Sequence, residues 1–447
     1  MGKFKKTIIF TLIIIVVILG TCGFYYVKRN SVTKALKKEL IPLKTVEASS
    51  SFEDMEPLKE VLKDKQIVDM GEATHGTSEF FKMKHRMLEF LVEEMGYRVF
   101  AIEGDFGAAE IINDYVLKGE GTAKEALGAM EMWQWDTTEV LNMIEWMRKY
   151  NEDPSHERKV KFYGFDMQSK EHSVRSLFKY LEKTDETVSK EYRQKFERYI
   201  NNSIRVLKRE DYDSVLTHTP ELMGVLEKNK ESFVSKTSEE EYNRAVQHLK
   251  IINKNAKYFK ARIVDVYGVD SESNSLRDEA MAENVKWIID YESKLGNEKI
   301  MLWGHNFHIT KLSPDFTAMG EQLSKLYGDK YYSVAFDFHE GSFNAIQSDS
   351  RGFYTGGVMK FTIKPMKIKM LSDSFVHTGI YLGFLDFKKA SEEEEIKELI
   401  MKKQRIHFVA NGYVDNEEWL YKRITPTKSF DGLIFIKDTT ETTKIIR

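Results

Sequence analysis

Short apolar runs, too brief for helices, recur through this chain, and many of them stop at a polar or acidic residue. They are Ile67–Met70, Val99–Ile102, Val160–Phe165, Lys299–Trp303, Tyr331–Phe336, Ile380–Leu385, Ile406–Ala410 and Leu433–Ile436. Runs of this length read as strands covered on both faces. Between the first of them lie periodic segments of helical length, Glu79–Glu94 and Thr138–Tyr150. Strand alternating with helix predicts an α/β fold with a mostly parallel central sheet flanked by helices.

The rhythm breaks over residues 171–294, which are highly charged, poor in glycine and helically periodic around Leu181–Leu207, Glu239–Tyr258 and Ala280–Tyr291. This stretch is expected to be a large helical insertion or cap. Residues 61–170 and 295–447 then form the α/β core, with glycine and β-branched residues returning past position 340 to close the sheet. With 447 residues, 42% of them hydrophobic, the chain can fill one elaborated domain or two intimate ones.

Ahead of this, residues 1–27 are expected to form one N-terminal transmembrane helix. Lys3, Lys5 and Lys6 precede an almost unbroken apolar run from Ile8 to Val27, and roughly 20 apolar residues can cross a bilayer. A lipoprotein-type signal around Cys22 and a buried helix are the alternatives. The anchor reading places the protein at the cell membrane as a single-pass protein, with the following domain outside the cytoplasm. Residues 28–60 read as a charged stalk. Cys22 is the sole cysteine, so neither a disulfide framework nor a thiolate metal cluster can form within the chain.

The 67 basic and 70 acidic residues nearly cancel, which removes the electrostatic case for nucleic acid as a partner. The strand ends carry the chemistry instead, because ligands in open α/β sheets sit outside the carboxyl ends of the strands. After the first strand comes Gly71-Glu72-Ala73-Thr74-His75-Gly76, after the second Glu103-Gly104-Asp105, after the third Asp166-Met167-Gln168, and after the fourth Gly304-His305-Asn306-Phe307-His308. Asp337 and His339 follow the next.

A glutamate three residues before a histidine can fix its tautomer and raise its basicity, making a water activated by His75 a plausible nucleophile. Bland readings stand beside this. Glu72 could cap a helix, Glu103 could pair with a buried lysine, and Asp105 and Asp166 could close turns. His308 reads as an orienting residue and His339 as an ordinary one, while His156, His172, His218 and His248 lie in polar stretches and read as solvated. There is no Gly-x-Ser-x-Gly elbow, no His-Glu-x-x-His helix, no phosphate loop and no dinucleotide fingerprint. No cofactor is expected, although His75, His305, His308 and the two glutamates are donor types that suit a divalent metal.

Taken together and in this order, Gly-Glu-Ala-Thr-His-Gly (71–76), Ile-Glu-Gly-Asp (102–105), Tyr-Gly-Phe-Asp-Met-Gln (163–168), Arg-Asp-Glu-Ala-Met-Ala-Glu-Asn (277–284) and Trp-Gly-His-Asn-Phe-His (303–308) resemble the erythromycin esterase family. The resemblance runs from about residue 60 to 440. It implies an α/β core with a helical portion forming one wall of a cleft, and hydrolysis of a small-molecule ester or lactone, the macrolide lactone in family members. It further implies that His75 is general base for water, Glu72 its orienting partner, Glu103 a water-positioning group, and His305 an aid to the carbonyl or the leaving alcohol. A family arginine lies on the helix after the histidine. Here that helix reads Lys82-Met83-Lys84-His85-Arg86, and Arg86 is the candidate, with His308, Asp105, Asp166 and Arg277 as further substrate-binding candidates. Two other functions fit the same residues: a metal-dependent hydrolase of peptide or phosphoester bonds, and a binding module that has lost catalysis.

Overall fold

A computed structural model describes residues 2–264 and 271–445. Residues 265–270, within the expected helical insertion, lie outside the described residues. The strands are β1 (Ile41–Pro42), β2 (Ile67–Met70), β3 (Val99–Asp105), β4 (Lys161–Asp166), β5 (Ile300–Trp303), β6 (Tyr331–Ser348), β7 (Tyr354–Ile363), β8 (Leu382–Asp386), β9 (Gln404–His407), β10 (Gly412–Tyr413), β11 (Tyr421–Ile424) and β12 (Gly432–Thr439).

The main sheet runs β1-β8-β12-β6-β2-β5-β3-β4. From β12 to β4 every neighbouring pair is parallel, whereas β8, β1 and the β7 hairpin partner of β6 are antiparallel additions. This mixed α/β sheet of mostly parallel strands buries both its faces. Val68, Met70, Phe100, Ile102, Met301 and Trp303 join one apolar cluster, and Ile67, Val99, Ala101, Ile300 and Leu302 join another on the opposite face. The period-2 alternation of side chains therefore feeds two cores from one strand, which explains why these strands read as continuous apolar runs.

Helix α1 spans Gly2–Glu39, α2 Glu56–Leu62, α3 Ser78–Met95 and α4 Phe106–Lys118. The helices between Glu171 and Val264 gather a third cluster of their own, including Leu177, Phe196, Tyr212, Leu222 and Ile252. Helix Ser271–Ser293 packs against β4 and so joins these helices to the sheet.

The expected membrane-spanning helix requires correction, and with it the single-pass, extracytoplasmic placement. Among the described residues, no helix is long and apolar enough to cross a membrane. The far end of α1 belongs to the folded domain, with Leu36 and the following Leu40 buried in the second cluster.

The segment read as a stalk is likewise packed onto the domain. Pro42 and Ile41 pair with β8, Leu43, Met55 and Leu58 are buried, and Asp54 forms an ion pair with Arg86.

Candidate active site

Strand β2 ends in a turn that cannot accept bulk. A Cβ at Gly76 would lie 2.0 Å from the Asn344 carbonyl oxygen, and one at Gly71 would lie 2.0 Å from Asn306 Oδ1. Asn306 in turn accepts from Phe336 N–H and donates to the Phe336 carbonyl, while its own N–H donates to the Glu72 carbonyl. The β2 and β5 ends are thereby fastened together, and Glu72, His75 and His305 emerge side by side.

The first element of the site is an acid–imidazole pair. His75 Nδ1 lies 2.7 Å from Glu72 Oε1. The other carboxylate oxygen, Oε2, accepts from Trp303 Nε1–H at 2.8 Å and from the Lys84 ammonium. Both residues are buried, Glu72 completely. Facing a carboxylate, Nδ1 of His75 carries the ring proton, leaving Nε2 with a lone pair. Burial draws Lys84 down to about 8 in spite of the Glu72 charge that supports it. Its ammonium also sits 4.3 Å from the Trp303 ring centre, a cation–π contact that helps hold it in this dry position.

The second element is His305, whose ring centroid is 4.8 Å from that of His75. Phe307 N–H donates to His305 Nδ1 at 3.2 Å, so the proton of the neutral ring resides on Nε2. That nitrogen is buried and makes no close hydrogen bond. Burial, reinforced by the neighbouring His75, holds His305 well below the usual imidazole range. It is therefore a neutral N–H donor, with the Ala73 backbone as a weak partner.

The third element surrounds Glu103. Its Oε2 accepts from His305 N–H at 2.9 Å, and its Oε1 accepts from Arg277 Nη2 at 2.8 Å. Trp135 Nε1–H donates to the Glu103 carbonyl at 3.0 Å and its ring stands edge-on to His75 at 6.2 Å. Burial alone would raise the Glu103 carboxyl, but His308 and Arg277 outweigh it and hold the group well below the usual carboxylate range. His308 is raised to about 10 although burial opposes this, because the carboxylates of Asp278 and Glu103 favour its cation. With both ring nitrogens protonated, Nδ1–H donates to Asp278 at 2.9 Å and Nε2 faces Glu103 at 3.3 Å. The 3.1 Å approach of Arg277 Nη1 to that same Nε2 is then a contact between two donors, not a bond.

Glu72, His75, Glu103, His305, His308 and Arg277 are thus brought together. Asp166 is tied to the group through Arg277 Nη2 at 2.7 Å. Asp105 caps α4, its Oδ1 accepting from Ala108 N–H at 2.7 Å, while its buried Oδ2 has no partner. Burial pushes this carboxyl up to about 8.

Arg86 is not in the site. It is fully buried and spends its guanidinium on Asp54 and on the carbonyls of Thr45 and Ser51. The basic residue of α3 that reaches the chemistry is Lys84. Sequence reasoning also passed over Asp278, Trp303 and Trp135. Asp278 adjoins Arg277 and Trp303 precedes Gly304 in motifs already quoted, so both were open to detection. His248, read as solvated, is buried and lies 2.9 Å from Glu110. Among the described residues no group of three or more His, Cys, Asp and Glu side chains could hold a metal ion. A wide cavity of about 720 Å³ lies away from this site, lined by Lys28, Arg29 and His377 among others; its size says nothing of chemistry, which the buried polar cluster marks better.

An acid–imidazole pair beside a second imidazole, set at the carboxyl ends of a parallel sheet and flanked by a helical unit, is an arrangement suited to hydrolytic enzymes. The chain belongs to the erythromycin esterase family, whose profile, described as Erythromycin esterase, matches residues 92–439. Glu103, Arg277 and His305 fall within that match, and Glu72 and His75 precede it. The chain is 22% identical over 428 residues to erythromycin esterase type II of Escherichia coli, covering 90% of this chain and 96% of that one. It is 27% identical over 330 residues to YbfO of Bacillus subtilis (strain 168), which carries a provisional hydrolase name, covering 66% and 70% respectively. Among solved structures, a Bacillus cereus protein superposes with a TM-score of 0.80 at 26% identity, covering 94% of this chain and 99% of that one. A mutant erythromycin esterase in its open conformation gives a TM-score of 0.65 at 15% identity, covering 89% and 96%, and shows likeness of fold alone.

Proposed function

We propose that this erythromycin esterase-like hydrolase cleaves a carboxylic ester or lactone by direct attack of water, with no covalent intermediate. The observation that carries the reading is the opposed tautomerism of two adjacent imidazoles. His75 has a free lone pair at Nε2 and His305 an N–H at Nε2. A water that gives its proton to His75 Nε2 forms the new C–O bond to the carbonyl carbon. The carbonyl oxygen becomes an oxyanion, which accepts from His305 Nε2–H. Collapse breaks the bond to the alkyl oxygen, and the proton held on His75 passes to the departing alkoxide. Glu72 fixes the His75 tautomer and stabilises the imidazolium formed in between, and Glu103 positions the loop bearing His305 through its backbone N–H.

The reaction is proposed to need no metal. His75 Nδ1 is occupied by Glu72, and the ammonium of Lys84 lies against the second oxygen of that carboxylate, so a cation approaching the pair would meet a like charge. The helices between Glu171 and Ser293 would supply one wall of the cleft. His75→Ala is the test: purified variant should retain a cooperative thermal transition and lose turnover of aryl esters and macrolactones by about 10²–10⁴-fold. Equal turnover with and without His75, or loss of activity on chelation, would overturn the reading.

A further inference from the structure

The reaction proposed above turns on the aim of one N–H, that of His305 Nε2, yet the ring that carries it is lightly held. Its Nδ1 accepts from Phe307 N–H at a long 3.2 Å. Two further rings flank it: His75, with centroids 4.8 Å apart, and Phe408, standing edge-on at 4.9 Å with the planes at 88°. An edge-on pair has a preferred geometry, so the place of Phe408 bears on where the imidazole points.

A second acid–imidazole pair governs Phe408 in turn. Asp337 and His407 are both fully buried. One carboxylate oxygen, Asp337 Oδ1, accepts from His407 Nδ1–H at 2.8 Å, from the His407 amide at 3.1 Å and from the Phe338 amide at 3.0 Å. His407 is thus gripped by side chain and backbone at once. On the other flank of Phe408, Val409 N–H donates to the Ala73 carbonyl at 2.7 Å, in the loop between Glu72 and His75. Both ends of a three-residue segment are pinned, and the ring in its middle is laid against His305.

The circuit closes through β6. Asn306, the neighbour of His305, binds both the N–H and the carbonyl of Phe336, and Asp337 is the next residue along that strand. From His305 the contacts run through Asn306, Phe336, Asp337, His407 and Phe408 and back to His305. An apolar pair of equal volume would often join two strands as well as a buried acid and imidazole do. What the hydrogen bonds add is direction.

We propose that Asp337 and His407 are positioning residues for His305, acting through Phe408 to aim its Nε2–H at the oxyanion. The proposal rests on the ester-hydrolase reading above. A misplacement of about 1 Å can cost about 10²-fold in rate. A donor preset for the transition state acts on kcat more than on KM.

The experiment is a double-mutant cycle on a short p-nitrophenyl ester, read as kcat and KM for the intact chain. Asp337→Ala removes all three bonds and should lower kcat by about 10²-fold, with KM changed less than about threefold. His407→Phe keeps a ring to pack on Phe338, 4.3 Å away, and loses only the Nδ1–H bond. It should lower kcat by about tenfold, and serves if the first variant does not fold. In a His305→Ala background either change should cost less than about threefold, because the group they aim is gone. Losses that multiply in that background, or single variants at the wild-type kcat, would overturn the proposal and leave hydrolysis by His75 standing. A second readout needs no substrate: in protein carrying isotopically labelled histidine, the NMR signal of the His305 ring, assigned by its loss in His305→Ala, should shift in both variants. An unmoved signal would overturn the positioning role even if wild type hydrolyses no ester, an outcome that by itself would overturn the ester-hydrolase reading.

Discussion

His75 and His305 lie with ring centroids 4.8 Å apart and are held in opposite tautomers, a lone pair at one Nε2 and an N–H at the other. Neither role belongs to the residue type. Glu72 imposes the first by taking Nδ1–H, and the Phe307 amide imposes the second by donating to Nδ1. Burial, reinforced by the neighbouring His75, keeps His305 neutral.

Replacing His305 with Ala should therefore lower kcat by about 10²–10³-fold, the usual loss for one oxyanion donor, with a much smaller change in KM. Steady-state kinetics on a short aryl ester check this, and a loss confined to KM would count against the oxyanion role.

Lys84→Met should damage both stability and catalysis, because it leaves the Glu72 carboxylate without its cation in a fully buried position. Breaking a buried pair costs about 3–5 kcal/mol. Urea titration reads the first effect, and kcat on a short aryl ester, corrected for the folded fraction, reads the second.

Arg86→Met should separate the two effects. It should cost about 3–5 kcal/mol of stability by stranding Asp54, while kcat per folded molecule stays close to wild type. A large fall in kcat without destabilisation would return Arg86 to the site.

Asp105 makes stability depend on pH in an unusual direction. Its carboxyl is raised to about 8 in the folded chain, against about 3.9 when unfolded. Between these values the folded state binds the extra proton, so stability from this group falls as pH rises from about 4 to 8. Asp105→Asn keeps an oxygen to cap α4 and should be more stable than wild type at pH 8, the gap closing toward pH 4. Chemical denaturation at several pH values measures it. His308, raised to about 10, works in the same direction over a higher window, its contribution full below about 6.5 and lost as pH climbs through 10, so the variant minus wild-type difference isolates Asp105.

Much of the core was legible because parallel strands covered on both faces rarely place a polar residue before they end, Asp69 within β2 being an exception whose buried carboxylate accepts from the Tyr331 hydroxyl. That is why β2, β3 and β5 stand out as apolar runs and why Glu72, Glu103 and His305 stand out after them. Lys84 and Arg86 were not separable, since residues two apart on a helix face nearly opposite ways and either face of α3 could have met the sheet end. The apolar N-terminus misled for a related reason: hydropathy counts residues, but whether the following charged segment stands free or packs depends on partners such as β8 that lie some 340 residues away. His248 escaped notice because its acid, Glu110, belongs to a different part of the chain.

One helix serves two masters. From α3, Lys84 leans on Glu72 while Arg86 reaches back to carbonyls and a carboxylate between residues 45 and 54. Anyone trimming the polypeptide to begin near residue 60 would delete every ligand of that guanidinium. The orphaned charge would then sit inside the fold, on the same helix that carries Lys84 to Glu72, so a cut made for convenience of expression would be felt as lost stability.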